Sequence, residues 1–173
     1  MKFELQDVSE ESIHKLENRV EQNSRQLDEI VNGIIQPYCR DLDRYVDFIR
    51  NCLKDGENPP TTDELEDWCM NLATYIYFAG GMTENLGIRD DIAKAVYKEV
   101  YNASRNSIVK GTVADKDSMA ALQSQEEAIV SAAYTRSYKI MKAKVENAQE
   151  LLQSCKKVLS HRIQQEELTN IRA

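Results

Sequence analysis

Thr112-Val-Ala-Asp115-Lys-Asp117 separates two helical arms in the second half of the chain. Gly111, just before it, suits the left-handed position that often follows the last turn of a helix. Thr112 with Asp115, or Asp115 with Asp117, then supplies a cap for the first turn of the next helix. The stretch therefore predicts a helix, a short turn and a second helix over residues 88–172.

The first arm carries cations interleaved with aromatic rings. An α-helix turns by roughly 100° per residue, which groups five side chains on one side of the arm: Lys94, Tyr97, Lys98, Tyr101 and Arg105. We expect the other side to pack; it holds Ile92, Val96, Val100, Ala103 and Ser107. Cations pair with phosphates and exposed rings stack on unpaired bases. The strip thus predicts a site for single-stranded nucleic acid, the alternative being an ordinary solvated helix face.

The second arm carries an apolar seam whose members recur at steps of four and three residues. They are Tyr134, Tyr138, Met141, Val145, Ala148, Leu152, Cys155, Leu159 and Ile163. This heptad spacing favours packing against other helices in a left-handed supercoil. We expect the seam to hold a homo-oligomer together, because a lone helix would leave it exposed. The alternative is that the first helix of the same chain covers it.

The first half of the chain also has helical periodicity. Apolar residues recur at helical steps across residues 13–53, with a bend, or a junction of two helices, expected at Gly33–Pro37. We predict a loop over residues 54–60. Thr61 and Glu64 then match a capping box at which the next helix begins. Three glycines within residues 80–87 each cost roughly 1 kcal/mol relative to alanine, so we expect a bend or break there.

Composition supports an all-α protein of long helices in a helical hairpin or coiled-coil arrangement. Hydrophobic residues make up 42% of the 173 residues and charged residues 29%, with only 6 Gly and 3 Pro to form turns. No window approaches the roughly 20 apolar residues of a membrane helix. The first residues have no apolar core typical of a signal segment. We therefore expect a cytoplasmic protein without a membrane role, in the host cytoplasm if the protein is viral.

Charge divides the chain into two regions. The net charge of −7 combines −10 over residues 1–88 with +3 over residues 89–173. We expect residues 1–87 to form an acidic helical region that contacts a partner. Residues 88–173 would form a basic helical hairpin for DNA binding and oligomerisation. A nucleic-acid binder usually has a basic balance, so only the second region favours that function.

No residue set in the chain is typical of an enzyme. The four cysteines lie at or beside apolar helix positions, as small buried hydrophobes would, and the two histidines are far apart in sequence. Asp41, Asp43 and Asp47 alternate with arginines, which intrahelical ion pairing explains. Nucleophilic triads and phosphate-binding glycine loops have no match. We expect a non-enzyme that needs neither a metal nor a cofactor.

Residues 88–173 resemble the UvsY-type recombination mediator proteins of bacteriophages. The resemblance rests on the Lys/Tyr-bearing arm, on Val113-Ala-Asp-Lys-Asp117 and on a long helix containing Leu151-Leu-Gln-Ser-Cys155 and Val158-Leu-Ser-His-Arg162. It implies an all-helical, ring-like homo-oligomer that binds single-stranded DNA. Such a protein helps to load a RecA-like recombinase onto strands coated by a single-strand-binding protein. The DNA contacts implied for this chain fall within Lys94, Lys98 and Arg105.

Two other classes of function stay open. A helical scaffold or assembly protein would have no nucleic-acid role. An acidic inhibitor would mimic nucleic acid and occupy a basic groove on another protein. The longer and more acidic residues 1–87 depart from the resemblance and are compatible with either class.

Overall fold

A computed structural model describes residues 10–54 and 59–172, and most of the loop predicted over residues 54–60 lies outside these ranges. The described residues form α-helices. They are α1 (Glu10–Lys54), α2 (Thr62–Ser107), α3 (Val113–Gln123) and α4 (Gln125–Arg172). No strand occurs within these ranges, so the all-α prediction is confirmed for the described chain. None of the described helices is long and apolar enough to span a membrane.

Helices α2 and α4 form the most extensive pair and run antiparallel. At one end the Thr62 hydroxyl donates to Glu166, and further along the Thr135 hydroxyl donates to Asp90. Helix α1 packs against both of them, where Lys144 Nζ lies 2.7 Å from Asp43 Oδ1. The result is a three-helix core with the α2–α4 pair extending beyond it towards the turn.

One apolar core joins α1, α2 and α4. Its most deeply buried side chains include Ile49, Leu72, Leu86 and Met141, each with essentially no exposed surface. At roughly 25 cal/mol per Å² of apolar area removed from water, this burial is the main favourable contribution to folding. The seam of α4 is part of that core.

Helix α2 continues through all three glycines, so the break expected within residues 80–87 is wrong. Leu86 is fully buried in the middle of this segment. Burial on both sides of the glycines outweighs a propensity cost of roughly 1 kcal/mol each. The two regions predicted to divide near residue 87 therefore share one uninterrupted helix.

Helix α1 also runs as a single element, with Pro37 inside it. The alternative of two helices meeting at Gly33–Pro37 is therefore wrong. Val31, Ile35 and Cys39 are all buried around the proline. Packing on both sides holds this segment helical despite the missing N–H group.

The turn after α2 is the capping arrangement predicted from the sequence. The Thr112 side chain accepts from the Asp115 N–H group at 3.2 Å, and Asp115 Oδ2 accepts from the Thr112 N–H group at 2.9 Å. Gly111 adopts φ 126°, a left-handed conformation that favours glycine. The expected single third helix, however, is interrupted at the buried Ser124, which separates α3 from α4.

Candidate nucleic-acid interface

The predicted Lys/Tyr strip continues the inward side of α2 instead of its outer side. Ala79, Thr83, Leu86 and Asp90 are buried at steps of four and three, and the same spacing leads on to Tyr97, which is half-buried. The strip is therefore turned towards the neighbouring helices along its length, with lysines at its edge.

The side of the arm that we expected to pack is correspondingly open. Ile92 is 57% exposed and Val96 44% exposed, and Ala103 and Ser107 are exposed too. Of the expected packing residues only Val100 is half-buried. The prediction of which face packs is therefore wrong. The register of α2 is fixed by the large core around Leu72 and Leu86, and the rest of the rigid helix follows that register.

Asp90 is the buried polar centre beneath the first lysine of the strip. Its carboxylate accepts from Lys94 Nζ at 2.7 Å and from the Thr135 hydroxyl at 2.5 Å. Burial works to raise the pKa of Asp90, but hydrogen bonds from Lys94 and Thr135 and the charges of Lys94 and Lys139 outweigh it and lower that pKa. Lys94 is therefore committed to an internal ion pair, although its side chain stays 52% exposed.

Asp117 holds the far end of the strip against α3. Its Oδ1 atom accepts from Arg105 Nε at 2.5 Å and from the Tyr101 hydroxyl at 3.3 Å. Burial, then the charge and hydrogen bond of Asp117, raise the pKa of Tyr101. Asp115 caps α3 while Asp117 ties it to α2, so the two acids of the turn have different structural roles.

Lys98 and Lys139 are two lysines near the strip that form no ion pair among the described residues. Both are exposed, and neither has a carboxylate within 4 Å in the described part of the chain. Lys139, on α4, is close enough to Asp90 to lower its pKa. Exposed positive charge thus lies on both helices of the pair, on either side of the Asp90–Thr135 contact along the helix axes.

The seam predicted to hold an oligomer together packs within one chain. Met141 and Leu152 are buried, as are Ala148 and Cys155 between and beyond them. The remaining seam residues are half-buried or, at the far end, partly exposed: Tyr134, Tyr138, Val145, Leu159 and Ile163. Helices α1 and α2 cover this surface, so the structure agrees with the alternative that the chain covers its own seam, with α2 sharing the role expected of the first helix alone. Oligomerisation stays a prediction and needs another surface.

The cysteines and Asp43 have structural environments within the helix packing. The four cysteines are free thiols, three of them buried. Burial, with the hydrogen bond that Cys39 donates to Asp43, raises the pKa of Cys39 to about 11. Asp43 also pairs with Lys144 of α4 instead of an arginine of α1. Among the described residues no group of three or more His, Cys, Asp or Glu side chains could hold a metal ion.

Sequence reasoning missed Asp90 and Thr135, whose hydrogen bond joins α2 to α4 beneath the first lysine of the strip. The available signal was a heptad spacing in α2 that starts at Leu65 and continues through the glycines to Ser104. Because the glycines predicted a break in the helix, the spacing was not followed across them.

Comparison of the chain with protein families, with characterised proteins and with solved structures finds no match.

Proposed function

We propose that the protein binds single-stranded DNA through exposed cations of the α2–α4 pair and acts as a recombination mediator, assisting a RecA-like recombinase on strands coated by single-strand-binding protein. The observation that carries the proposal is that exposed Lys98 on α2 and Lys139 on α4 form no ion pair with any residue that the structure describes. Ammonium groups on two neighbouring helices can contact different phosphates of one strand. The resemblance to UvsY-type mediators over residues 88–173 supports the same function.

The five strip residues have unequal roles in this proposal. Lys98 is free to contact phosphate, and Lys94 can do so with the exposed half of its side chain. Arg105 and Tyr101 are engaged by Asp117 and serve to fix α3. Tyr97 lies 6.2 Å from Tyr101, centroid to centroid, and its half-exposed ring is the better placed of the two for stacking on a base.

The experiment compares Lys98→Ala/Lys139→Ala with the parent protein, using a labelled oligothymidylate at several salt concentrations. Each lost phosphate contact should reduce the slope of log K against log salt by about 0.7. Lys156→Ala/Lys157→Ala is the matched control, because it removes the same charge from the far end of α4. The proposal fails if the parent protein does not bind at low salt, or if both double variants bind equally well.

A variant that lacks the Tyr97 ring tests the contribution of base stacking separately from that of charge. Tyr97→Leu should weaken binding by about 1–3 kcal/mol while leaving the salt slope nearly unchanged. Tyr101→Leu is a poorer choice, because it also removes the hydroxyl that donates to Asp117. An unchanged affinity for Tyr97→Leu would restrict the interface to the lysines.

A helical assembly protein without a nucleic-acid role is the second candidate. It is favoured by apolar side chains that stay exposed near the turn, including Val109 at 87% and Leu122 at 71%. Exposed apolar patches commonly mark protein interfaces. Self-association of the parent protein with no DNA affinity at any salt concentration would favour this candidate over the first.

A further inference from the structure

An open apolar groove lies between α2 and α4 close to the turn. It has a volume of about 440 Å³ and is lined by Ile92, Ala93 and Val96 from α2 and by Val130 and Tyr134 from α4. Ile92 and Val130 are 57% and 50% exposed. Apolar side chains at helical spacing on two adjacent helices form a surface that another helix pair can cover.

Opposite charges stand at the two ends of the groove. The hydrogen bond between Thr135 and Asp90 sets the antiparallel register and places Arg89 of α2 beside residue 136 of α4. Glu127 is nine residues away from that point along α4, roughly 13 Å at 1.5 Å per residue. Arg89 therefore cannot reach Glu127 of its own chain, and neither makes an ion pair within the described residues.

The Glu127 carboxylate lacks a hydrogen-bond donor for one of its oxygens within the described part of the chain. Its Oε2 atom is fully buried and has no hydrogen-bond partner, the only side-chain atom in this condition in the described part of the chain. The positive end of the α4 dipole favours a carboxylate in the first turn but supplies no donor to this atom. A buried carboxylate oxygen without a donor is costly. Because this oxygen has no exposed surface, a cation outside the chain can pair with it only when the half-buried Glu127 side chain turns towards the open groove.

We propose that this groove is an interface between two copies of the chain, in which Arg89 of each copy pairs with Glu127 of the other. A two-fold axis through the middle of the interface packs the apolar centre of one groove against that of the other copy. It also places the basic end of each groove beside the acidic end of the other. Once turned towards the groove, the Glu127 carboxylate of each copy meets the Arg89 guanidinium of the other and gains the donor that it lacks. A nucleic-acid strand fits this groove poorly, because phosphates would meet Glu126 and Glu127. The proposal does not depend on DNA binding.

The experiment reverses the charges one at a time in the full chain and measures mass by sedimentation equilibrium. Arg89→Glu alone places two carboxylates together at both ends, and Glu127→Arg alone places two cations together. Each single variant should weaken dimerisation roughly tenfold or more, because like charges at an interface repel. An equimolar mixture of the two variants restores opposite charges at both ends. It should form a heterodimer about as tight as the parent dimer.

Matched controls carry the same charge changes outside the groove. Arg136→Glu and Glu99→Arg alter exposed helix positions that do not line it, and both should dimerise like the parent. Circular dichroism checks that every variant stays helical. A parent protein that is monomeric at high micromolar concentration would overturn the proposal. So would single variants that associate normally, controls that weaken association equally, or a mixture that fails to restore it.

Discussion

Asp90 and Asp117 decide which cations of the basic arm remain available to a ligand. Each carboxylate holds one strip cation, Lys94 or Arg105, and one hydroxyl group. A hydrogen bond to a charged group contributes about 1.5–3 kcal/mol when well shielded, and less at these half-exposed cations because water screens them. Tyr101 and Arg105 of the strip therefore serve first to fix α3 against α2. Lys98 has no carboxylate partner in the described part of the chain and is fully available.

Replacing Asp90 by asparagine should remove an acid-sensitive part of the stability. The pKa of Asp90 is lowered in the folded chain. Its contribution is therefore fully present above the ordinary aspartate pKa of about 3.9 and is lost as pH falls through the lowered folded value. We expect Asp90→Asn to be less stable than the parent by on the order of 1 kcal/mol at neutral pH, with the gap closing in acid.

Urea unfolding at a series of pH values measures this gap. Asp91→Asn is the control, because Asp91 is the exposed neighbour on the same helix and should change stability little at any pH. A gap between the Asp90 variant and the parent that stays constant down to acid pH would contradict the assigned role of Asp90.

Helix α2 owes its length to packing and not to intrinsic propensity. Its capping box at Thr61 and Glu64 starts the helix as the sequence predicts. Buried residues recur from Leu65 to Asp90 across three glycines. Isolated helices depend on propensity, whereas helices in proteins gain most of their stability from a packed face. The glycines therefore lower the stability of α2 without ending it.

Alanine substitutions at two of these glycines should have different effects. Gly81→Ala adds a methyl group that meets nothing within 4 Å, so we expect the free energy of unfolding to rise by about 0.8–1 kcal/mol. At Gly87 the added carbon would lie 3.3 Å from the Tyr138 ring, and the ring must shift to admit it. Gly87→Ala should thus gain less or lose stability. Thermal unfolding compares the two, and an equal gain at both positions would mean that the Tyr138 ring is not held in place.

The apolar seam of α4 packs inside the chain. Helices α1 and α2 cover it over the core segment around Leu152 and Cys155. The surface left open lies near the turn, between the ends of α2 and α4. The association proposed at the groove would therefore depend on residues outside the core, which makes it separable from folding by mutation.

Leu152→Asp should unfold the chain and not merely dissociate an assembly. Leu152 is 8% exposed within one chain, so the substitution buries an unpaired charge and opens a cavity, at a cost of about 4 kcal/mol or more. Ile163→Asp is the control at the same seam, because Ile163 is 37% exposed and its charge can reach water. Loss of helical signal in the first variant but not in the second is expected. A Leu152 variant that remains folded as a monomer would show that the seam belongs to an oligomer interface instead.

The sequence by itself determined the helical class, the two capping boxes and the turn at Gly111, because these depend on residues close together in the chain. It also identified the seam of α4, since heptad spacing reports an apolar face wherever that face packs. The tertiary structure decided which surface each face meets. The distant core around Leu72 sets the register of α2, and that register turns Tyr97 inward and leaves Ile92 open. The partner of Asp90 lies 45 residues away, and helical periodicity on one arm carries no information about the residue that faces it.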